Sequence, residues 1–218
     1  MICVAISDKN IDSCLQILNS VELAEIRIDL TGFGPEEIRA VCNHRTPVIA
    51  TCRGDATEPE KQLELLTTAV RSGAAYVDIE IEAGKEQIDL IAELARKHGC
   101  KLIISYHNFE ETPGLRELYK KTDACFDLGG DIAKIVTMAR SEADCARILS
   151  LYSIEKPIVA LCMGEAGKLT RIMAPLLGAE FTFAAPDDGK GTAPGQIEYS
   201  RMKEIMGCLE KEIPLKSR

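Results

Sequence analysis

The chain of 218 residues contains no Trp and only five Phe and five Tyr. With so few aromatic rings, a platform on which single-stranded nucleic acid could stack is not expected. Basic residues are outnumbered as well, since 26 Lys and Arg stand against 34 Asp and Glu, for a formal net charge of −8. A surface that binds polyanions needs a clustered basic excess, so neither a nucleic acid nor an anionic membrane is expected as a partner.

Patterns typical of metal sites, disulfide frameworks and membrane spans are also missing. The nine Cys are an odd number and none follows Cys-x-x-Cys spacing, which predicts buried, reduced thiols. No apolar run approaches the ~20 residues of a membrane span. The first residues lack the charged and then apolar pattern of a secretory signal. We therefore expect a mature cytoplasmic protein with no metal and no cofactor.

Short apolar segments alternate with amphipathic ones along the whole chain. The strand-like segments begin at Ile2, Leu23, Pro47, Ala75, Lys101, Asp131, Pro157 and Glu180. They are apolar throughout, which favours a parallel sheet covered on both faces. Eight strand and helix units predict an α/β fold, a single-domain (β/α)₈ TIM barrel over residues 1–218. An open doubly wound sheet is the alternative, although no Gly-x-Gly-x-x-Gly motif follows the first strand.

Helix signals fit between these strands. The clearest covers residues 85–98, where Ile88 and Ile91 keep helical spacing and Gly99 can end the helix. Gly34 followed by Pro35 marks another helix start. The pair Ser141 and Asp144 has the spacing of a capping box. The predicted helices therefore have local start and stop signals as well as helical spacing of their apolar residues.

Catalytic groups of a TIM barrel lie at the C-terminal ends of its strands. Of the three His, only His107 ends a predicted strand, whereas His44 and His98 fall on the opposite face. Lys134 lies inside the apolar segment "DIAKIV". A lysine in an apolar lumen is expected to hold its proton less firmly, which makes its amine nucleophilic toward a carbonyl.

Further polar residues fall at the same predicted end of the barrel. Glu25, Arg27 and Asp29 alternate with apolar residues in the second segment, so they are expected to share one strand face. Because both faces of such a strand are covered, these charges must pair with each other or with a polar ligand. The other candidates are Arg53, Asp78, Glu80, Arg171, Thr192 and Gln196. Together with Lys134 and His107, these polar residues predict Schiff-base chemistry on a small anionic polyhydroxy substrate.

The segment 187–196, "DDGKGTAPGQ", is rich in Gly and follows the last predicted strand. Its position allows two interpretations, a connector or a lid that closes over a substrate.

The motifs also resemble, in order, those of the type I 3-dehydroquinate dehydratase family of the shikimate pathway. The signature is "DIEI" from Asp78 followed by "LIISYHN", which ends at Asn108. The motifs "EIRID", "TCR", "AKI", "TR" and "TAPGQ" occur in the same order as in the family. The match spans nearly the whole chain.

The resemblance implies a role for each candidate residue. Lys134 would form an iminium with the C3 ketone of 3-dehydroquinate. His107 would act as general base and then as general acid in a syn elimination that yields 3-dehydroshikimate. Glu80, or Asp78 beside it, would complete the catalytic group by orienting His107. The implied substrate-binding residues are Arg171, Thr192 and Gln196 for the carboxylate, and Glu25, Arg27 and Arg53 for the ring hydroxyls. The family further implies a homodimer.

Three positions depart from the family pattern without touching Lys134 or His107. Ala5 stands where bacterial relatives often have Ser, Thr192 replaces the usual Ser, and Thr57 stands where some relatives have an acidic residue. Two other functions stay open from the residues alone. One is a class I aldolase that uses the same barrel lysine, and the other is an inactive barrel that serves as a binding protein.

Overall fold

The structure is a computed structural model that describes residues 1–213. Its strands are β1 (Ile2–Ile6), β2 (Leu23–Arg27), β3 (Val48–Thr51), β4 (Tyr76–Glu80), β5 (Lys101–Asn108), β6 (Ile132–Met138), β7 (Ile158–Met163) and β8 (Thr182–Ala184). The helices are α1 (Ile11–Leu18), α2 (Ile28–Thr31), α3 (Pro35–Cys42), α4 (Pro59–Arg71), α5 (Lys85–His98), α6 (Leu115–Asp127), α7 (Glu142–Leu149), α8 (Lys168–Leu177) and α9 (Tyr199–Glu212). A 3₁₀ turn, Ser150–Ser153, follows α7.

All eight strands are parallel and form a nearly closed barrel in the order β7-β6-β5-β4-β3-β2-β1-β8. The last strand pairs with the first, so that Cys3 of β1 lies opposite Phe183 of β8. A hydrogen bond also links the two strands at the ends of this order, β7 and β8. The N–H of Glu180, just before β8, donates to the carbonyl of Ile158 in β7 at 3.2 Å. The prediction of a (β/α)₈ barrel is confirmed. The open doubly wound alternative is wrong, because each strand neighbours its successor and β8 returns beside β1.

The apolar strand segments are explained by burial on both faces. All residues of β7 are buried, and the strand is covered by α7 and α8 on its outer side. On α5, Ile88, Ile91 and Ala95 are buried, while the opposite face of the helix is exposed. This helix covers the predicted range and ends at Gly99, whose φ of 68° lies in the left-handed region. The Ser141 capping box also forms as predicted.

The second strand is shorter than the sequence pattern predicts. We expected it to continue to Leu30, but β2 ends at Arg27 and the chain turns into α2. Arg27 pairs with Thr51, which is the last residue of β3, so no neighbouring strand continues the ladder beyond it. Asp29 therefore lies on α2 rather than on the face of β2.

Eight of the nine Cys are buried, and Cys208 on α9 is exposed. Burial raises the pKa of the Cys42, Cys100, Cys125 and Cys162 thiols to about 12. The prediction of buried thiols is confirmed except for Cys208. No helix within residues 1–213 is long and apolar enough to cross a membrane.

The helices pack closely on the barrel, so a cavity at this interface should strongly lower the free energy of unfolding. Leu66 on α4 is 0% exposed, whereas Leu90 on α5 is 55% exposed. Leu66→Ala should lower the free energy of unfolding by about 2–5 kcal/mol, because it removes buried methyl groups and leaves a void. Leu90→Ala is the matched control. Urea unfolding followed by circular dichroism checks both, and equal losses would contradict the packing described.

Candidate active site

The C-terminal ends of the strands enclose a cavity of about 250 Å³. The predicted site residues that line it are Glu25, Arg27, Arg53, Glu80, His107, Lys134, Arg171, Thr192 and Gln196. His44 and His98 are not among the lining residues. The cavity also has a wall that sequence reasoning missed, formed by Phe109, Val136, Leu161, Met163 and Phe183 together with Asp55 and Ala193. Apolar residues within apolar strands carry no signal that separates a cavity wall from the core.

Lys134 projects from β6 into the lumen and is 4% exposed. Its Nζ donates to Asp78 Oδ2 at 2.8 Å and to Glu25 Oε1 at 3.0 Å. The same nitrogen lies 4.2 Å from the centroid of the Phe183 ring. The expectation of an apolar surrounding for Lys134 is therefore wrong. The four side chains come from β2, β4, β6 and β8, the alternate strands that supply one layer of a barrel interior.

Asp78 connects Lys134 to the mouth of the barrel. Arg53 clamps its carboxylate at 3.0 and 3.2 Å, and Ser105 Oγ donates to Oδ1 at 2.6 Å. Burial would raise the pKa of Asp78, but the charges of Arg53 and Lys134 outweigh it and hold that pKa well below its usual range. The carboxylate is therefore ionised and fully hydrogen-bonded.

Glu25 is the second buried carboxylate against Lys134, at 4% exposure. Thr51 Oγ1 donates to the same Oε1 that contacts Lys134, at 2.9 Å. Burial opposes ionisation here too, but Lys134 and Arg27 lower the pKa of Glu25 below its ordinary value. Arg27 itself forms a two-bond ion pair with Asp29, at 3.1 and 2.6 Å. The charges of β2 thus pair within the protein, as their burial requires.

His107 lies near the end of β5 on the cavity side. Its Nε2 is 3.4 Å from Arg53 Nη2, and its ring stacks on Phe109 with a centroid separation of 6.0 Å. A guanidinium can only donate, so this contact favours the tautomer with the proton on Nδ1. Within residues 1–213, Nδ1 is buried without a hydrogen-bond partner. Burial lowers the pKa of His107 well below 6.5, and the charges of Arg53 and Lys134 lower it further.

Neither carboxylate proposed to orient His107 contacts it in the described part of the chain. Glu80 Oε2 accepts from the Gly54 N–H at 2.8 Å, and Glu80 Oε1 lies 3.9 Å from Arg53. Asp78 approaches the imidazole only through Arg53, which contacts both groups. Glu80 as an orienting residue therefore stays a prediction.

Arg171, at the first turns of α8, supplies a buried positive charge to the cavity. It is 2% exposed, and within residues 1–213 its Nε is buried without a partner. Burial lowers the pKa of Arg171 to about 10, so the guanidinium is still charged at neutral pH. A buried, incompletely paired cation favours binding of an anion.

The loop after β8 carries Thr192 and Gln196 to the same part of the cavity. Gln196 Oε1 accepts from the Thr192 N–H at 2.7 Å. The loop rests on the end of β7, where the Gly164 N–H donates to the Pro194 carbonyl at 3.1 Å. At Gly195, with φ at 78°, a Cβ atom would lie 2.2 Å from the Gly164 carbonyl oxygen. Only glycine allows this close approach.

No group of three or more His, Cys, Asp or Glu within residues 1–213 is arranged to hold a metal ion. The chemistry that the cavity offers resides in the lysine amine, the imidazole and the carboxylates around them.

A layer of charged groups in a barrel lumen costs desolvation energy, so it is expected where chemistry needs it. The fold and this cavity together define a (β/α)₈-barrel enzyme. Comparison with known proteins narrows that class. The chain belongs to the type I 3-dehydroquinase family, whose family model matches residues 2–213.

Individual relatives agree with this membership. The 3-dehydroquinate dehydratase of Desulfotalea psychrophila is 34% identical over 217 residues, covering 94% of this chain and 96% of that protein. That of Methanothermobacter thermautotrophicus is 38% identical over 198 residues, covering 88% and 86%. The crystal structure of type I 3-dehydroquinate dehydratase from Clostridium difficile, with covalently modified comenic acid, is 26% identical with a TM-score of 0.85, covering 97% and 92%. The family resemblance of the motifs is confirmed.

The lowered pKa of His107 predicts how stability depends on pH. Below its ordinary value of 6.5 a histidine of the unfolded chain takes up a proton, whereas His107 in the folded protein stays neutral. The unfolded state then binds more protons, so the free energy of unfolding falls as pH drops from 6.5 toward the lower folded-state pKa. His107→Gln should remove this contribution, which is at most about 1.4 kcal/mol per pH unit.

His98→Gln is the matched control for this measurement, because it removes an exposed histidine outside the cavity. Urea unfolding at several pH values between about 5 and 7 gives the slopes. If wild type and His107→Gln have the same slope, His107 is not the partly buried, neutral group described.

Proposed function

We propose that this chain is a 3-dehydroquinate dehydratase, which removes water from 3-dehydroquinate to form 3-dehydroshikimate in the biosynthesis of aromatic amino acids. The observation that carries the proposal is the pair Lys134 and His107, which line one cavity in a member of the type I 3-dehydroquinase family. The relatives that bear this activity in their names cover nearly all of the chain.

The first chemical step uses Lys134. Its amine attacks the C3 ketone, and loss of water gives an iminium between Nζ and C3. The cationic C=N bond withdraws electrons from the neighbouring carbon, so the C2 hydrogen becomes acidic. Because the lysine supplies this electron sink, the reaction uses no cofactor and no metal.

His107 performs the elimination. With its pKa below the usual range, the imidazole is neutral at neutral pH and can accept the C2 proton. The imidazolium then donates a proton to the C1 hydroxyl, which leaves as water from the same face. Hydrolysis of the iminium releases 3-dehydroshikimate and restores Lys134. Glu80 would orient the imidazole, with Asp78 as the alternative acting through Arg53.

The remaining predicted residues bind the substrate. Arg171 offers a buried cation for the substrate carboxylate, and Thr192 and Gln196 lie in the loop beside it. Arg27, Arg53 and Glu25 are assigned to the ring hydroxyls. All three side chains already have internal partners, since Arg53 clamps Asp78, Arg27 clamps Asp29 and Glu25 accepts from Lys134.

The competing functions have less support. A class I aldolase would share the barrel lysine, but the family and the named relatives are dehydratases. An inactive binding protein would not need a lysine held among charged groups together with a neutral histidine. We further assign the protein to the cytoplasm as a homodimer with the whole chain as one barrel domain, and light scattering tests the oligomeric state.

Trapping of the iminium tests the proposed function directly. Incubation with 3-dehydroquinate and borohydride should reduce the C=N bond and leave one covalent adduct on Lys134, located by mass spectrometry. Lys168, a partly exposed lysine on α8, is the internal control and should stay unmodified. An unmodified protein, or an adduct on another residue, would falsify the mechanism.

Substitution of His107 should affect elimination without preventing formation of the Lys134 adduct. His107→Ala should still form the Lys134 adduct but lose about 10²–10⁴-fold in dehydration, because the imidazole proposed to accept the C2 proton is removed. Turnover is measured by the absorbance of the conjugated product, with His44→Ala as the matched control. Unchanged turnover in His107→Ala would refute the assignment of the imidazole.

A further inference from the structure

Arg53 contacts both Asp78 and His107, yet its backbone lies outside the regular part of β3. The ladders that join β3 to β2 and to β4 both end at Thr51. The two residues that follow have left the strand, and the second of them is Arg53. The position of the guanidinium therefore depends on what holds this short segment beyond the end of the sheet.

Gln62 of α4 holds the segment from the outer side of the barrel. Its Nε2 donates to the Cys52 carbonyl at 2.6 Å, and the side chain is 2% exposed. The same amide packs on Gly54, where a Cβ atom would lie 3.5 Å from both Nε2 and Oε1 of Gln62. Gln62 thus touches the residues immediately before and after Arg53.

Gln87 of α5 fixes which way the Gln62 amide points. Its Nε2 donates to Gln62 Oε1 at 2.8 Å, which leaves Gln62 Nε2 to face Cys52. An amide can accept at one end and donate at the other, and both ends are used here. A carboxylate at position 62 could accept from Gln87 but could not donate to the Cys52 carbonyl.

Glu80 holds the same segment from the cavity side, because its Oε2 accepts from the Gly54 N–H at 2.8 Å. Glu80 lines the cavity, whereas Gln62 is not among the lining residues. A substitution of Gln62 can therefore release the segment without removing a group that faces the substrate.

We propose that Gln62 is a positioning residue for Arg53, and that its effect on turnover rests on the proposed function. Without the hydrogen bond to the Cys52 carbonyl, the guanidinium loses its fixed distances to Asp78 and His107. A misplacement of about 1 Å in an active site can lower a rate by about 10²-fold. Displacement of the Arg53 charge also weakens its effect on the imidazole.

Gln62→Met tests the effect on turnover, because it keeps a side chain of similar length but removes the donor. We expect kcat/KM for 3-dehydroquinate to fall by about 10–10²-fold. Gln62→Glu is a second variant, which keeps the bond from Gln87 and loses the donation to Cys52 when its carboxyl is ionised. It should show a loss of similar size. Circular dichroism gives the folded fraction to which each activity is referred.

Two controls show whether the contact with Cys52 is the cause. Gln87→Met removes the bond to Gln62 but leaves the donation to Cys52, so it should lose much less activity than Gln62→Met. Gln16→Met, on an exposed position of α1, should retain the kcat/KM of wild type. Equal kcat/KM in wild type and Gln62→Met, or equal losses in Gln62→Met and Gln87→Met, would contradict the proposal.

The pKa of His107 is a second readout, which general loosening of α4 would not move. Burial and then the charges of Arg53 and Lys134 lower that pKa, so displacement of Arg53 should raise it toward 6.5. Titration of the imidazole by nuclear magnetic resonance measures it, and His107→Gln assigns the signal among the three His.

The other charged groups near the imidazole are the same in wild type and Gln62→Met. Lys134, Asp78 and Arg27 also act on His107, and Glu80 and Asp55 line the same cavity. Gln16→Met should keep the His107 pKa of wild type. An unchanged His107 pKa in Gln62→Met would show that Gln62 does not position Arg53.

The titration needs no substrate, so it separates this inference from the proposed function. If wild type does not convert 3-dehydroquinate, the proposed function fails, and the His107 pKa still decides whether Gln62 positions Arg53. If wild type is active and Gln62→Met retains both kcat/KM and the His107 pKa, the role of Gln62 is wrong and the dehydratase assignment stands.

Discussion

The layer of Glu25, Asp78, Lys134 and Phe183 inside the barrel is the constraint on which the site depends. A barrel interior is filled by layers of side chains from alternate strands, and such layers are usually apolar. Here two carboxylates and an amine meet in one layer, 0–4% exposed. Buried charges must be paired and hydrogen-bonded, which accounts for the positions of Thr51, Ser105 and Arg53 around them.

The same charges control the group that does the proposed elimination. Burial lowers the pKa of the His107 imidazole, and Arg53, which holds Asp78 and also faces His107, lowers it further. The neutral state of His107 at the mouth and the hydrogen bonding of Lys134 below it thus both depend on the network of Arg53 and Asp78. Arg171 adds a buried cation on the other side of the cavity. The net charge of −8 is a sum over the whole chain and does not describe the pocket, whose lining includes the cations Arg27, Arg53, Lys134 and Arg171.

Most of the fold could be predicted because its determinants are local or periodic. Strand positions followed from buried apolar segments, and the range of α5 followed from helical spacing and Gly99. The end of β2 could not be predicted, because it depends on where β3 stops and not on the residues of β2 themselves. Cys208 was missed for a related reason, since its exposure depends on which face of α9 packs on the barrel.

For the candidate site, the sequence by itself determined which residue types reach the mouth, since strand ends and family motifs fix the places of Lys134, His107 and Arg171. Only the tertiary structure decided how these residues are paired. The partners of Lys134 come from β2 and β4, which are distant in sequence, and their meeting follows from the stagger of strands around a closed barrel. The difference between Asp78, which Arg53 holds by both oxygens, and Glu25, which accepts from Lys134 and Thr51, arises at this level, because it depends on hydrogen-bond partners from other strands.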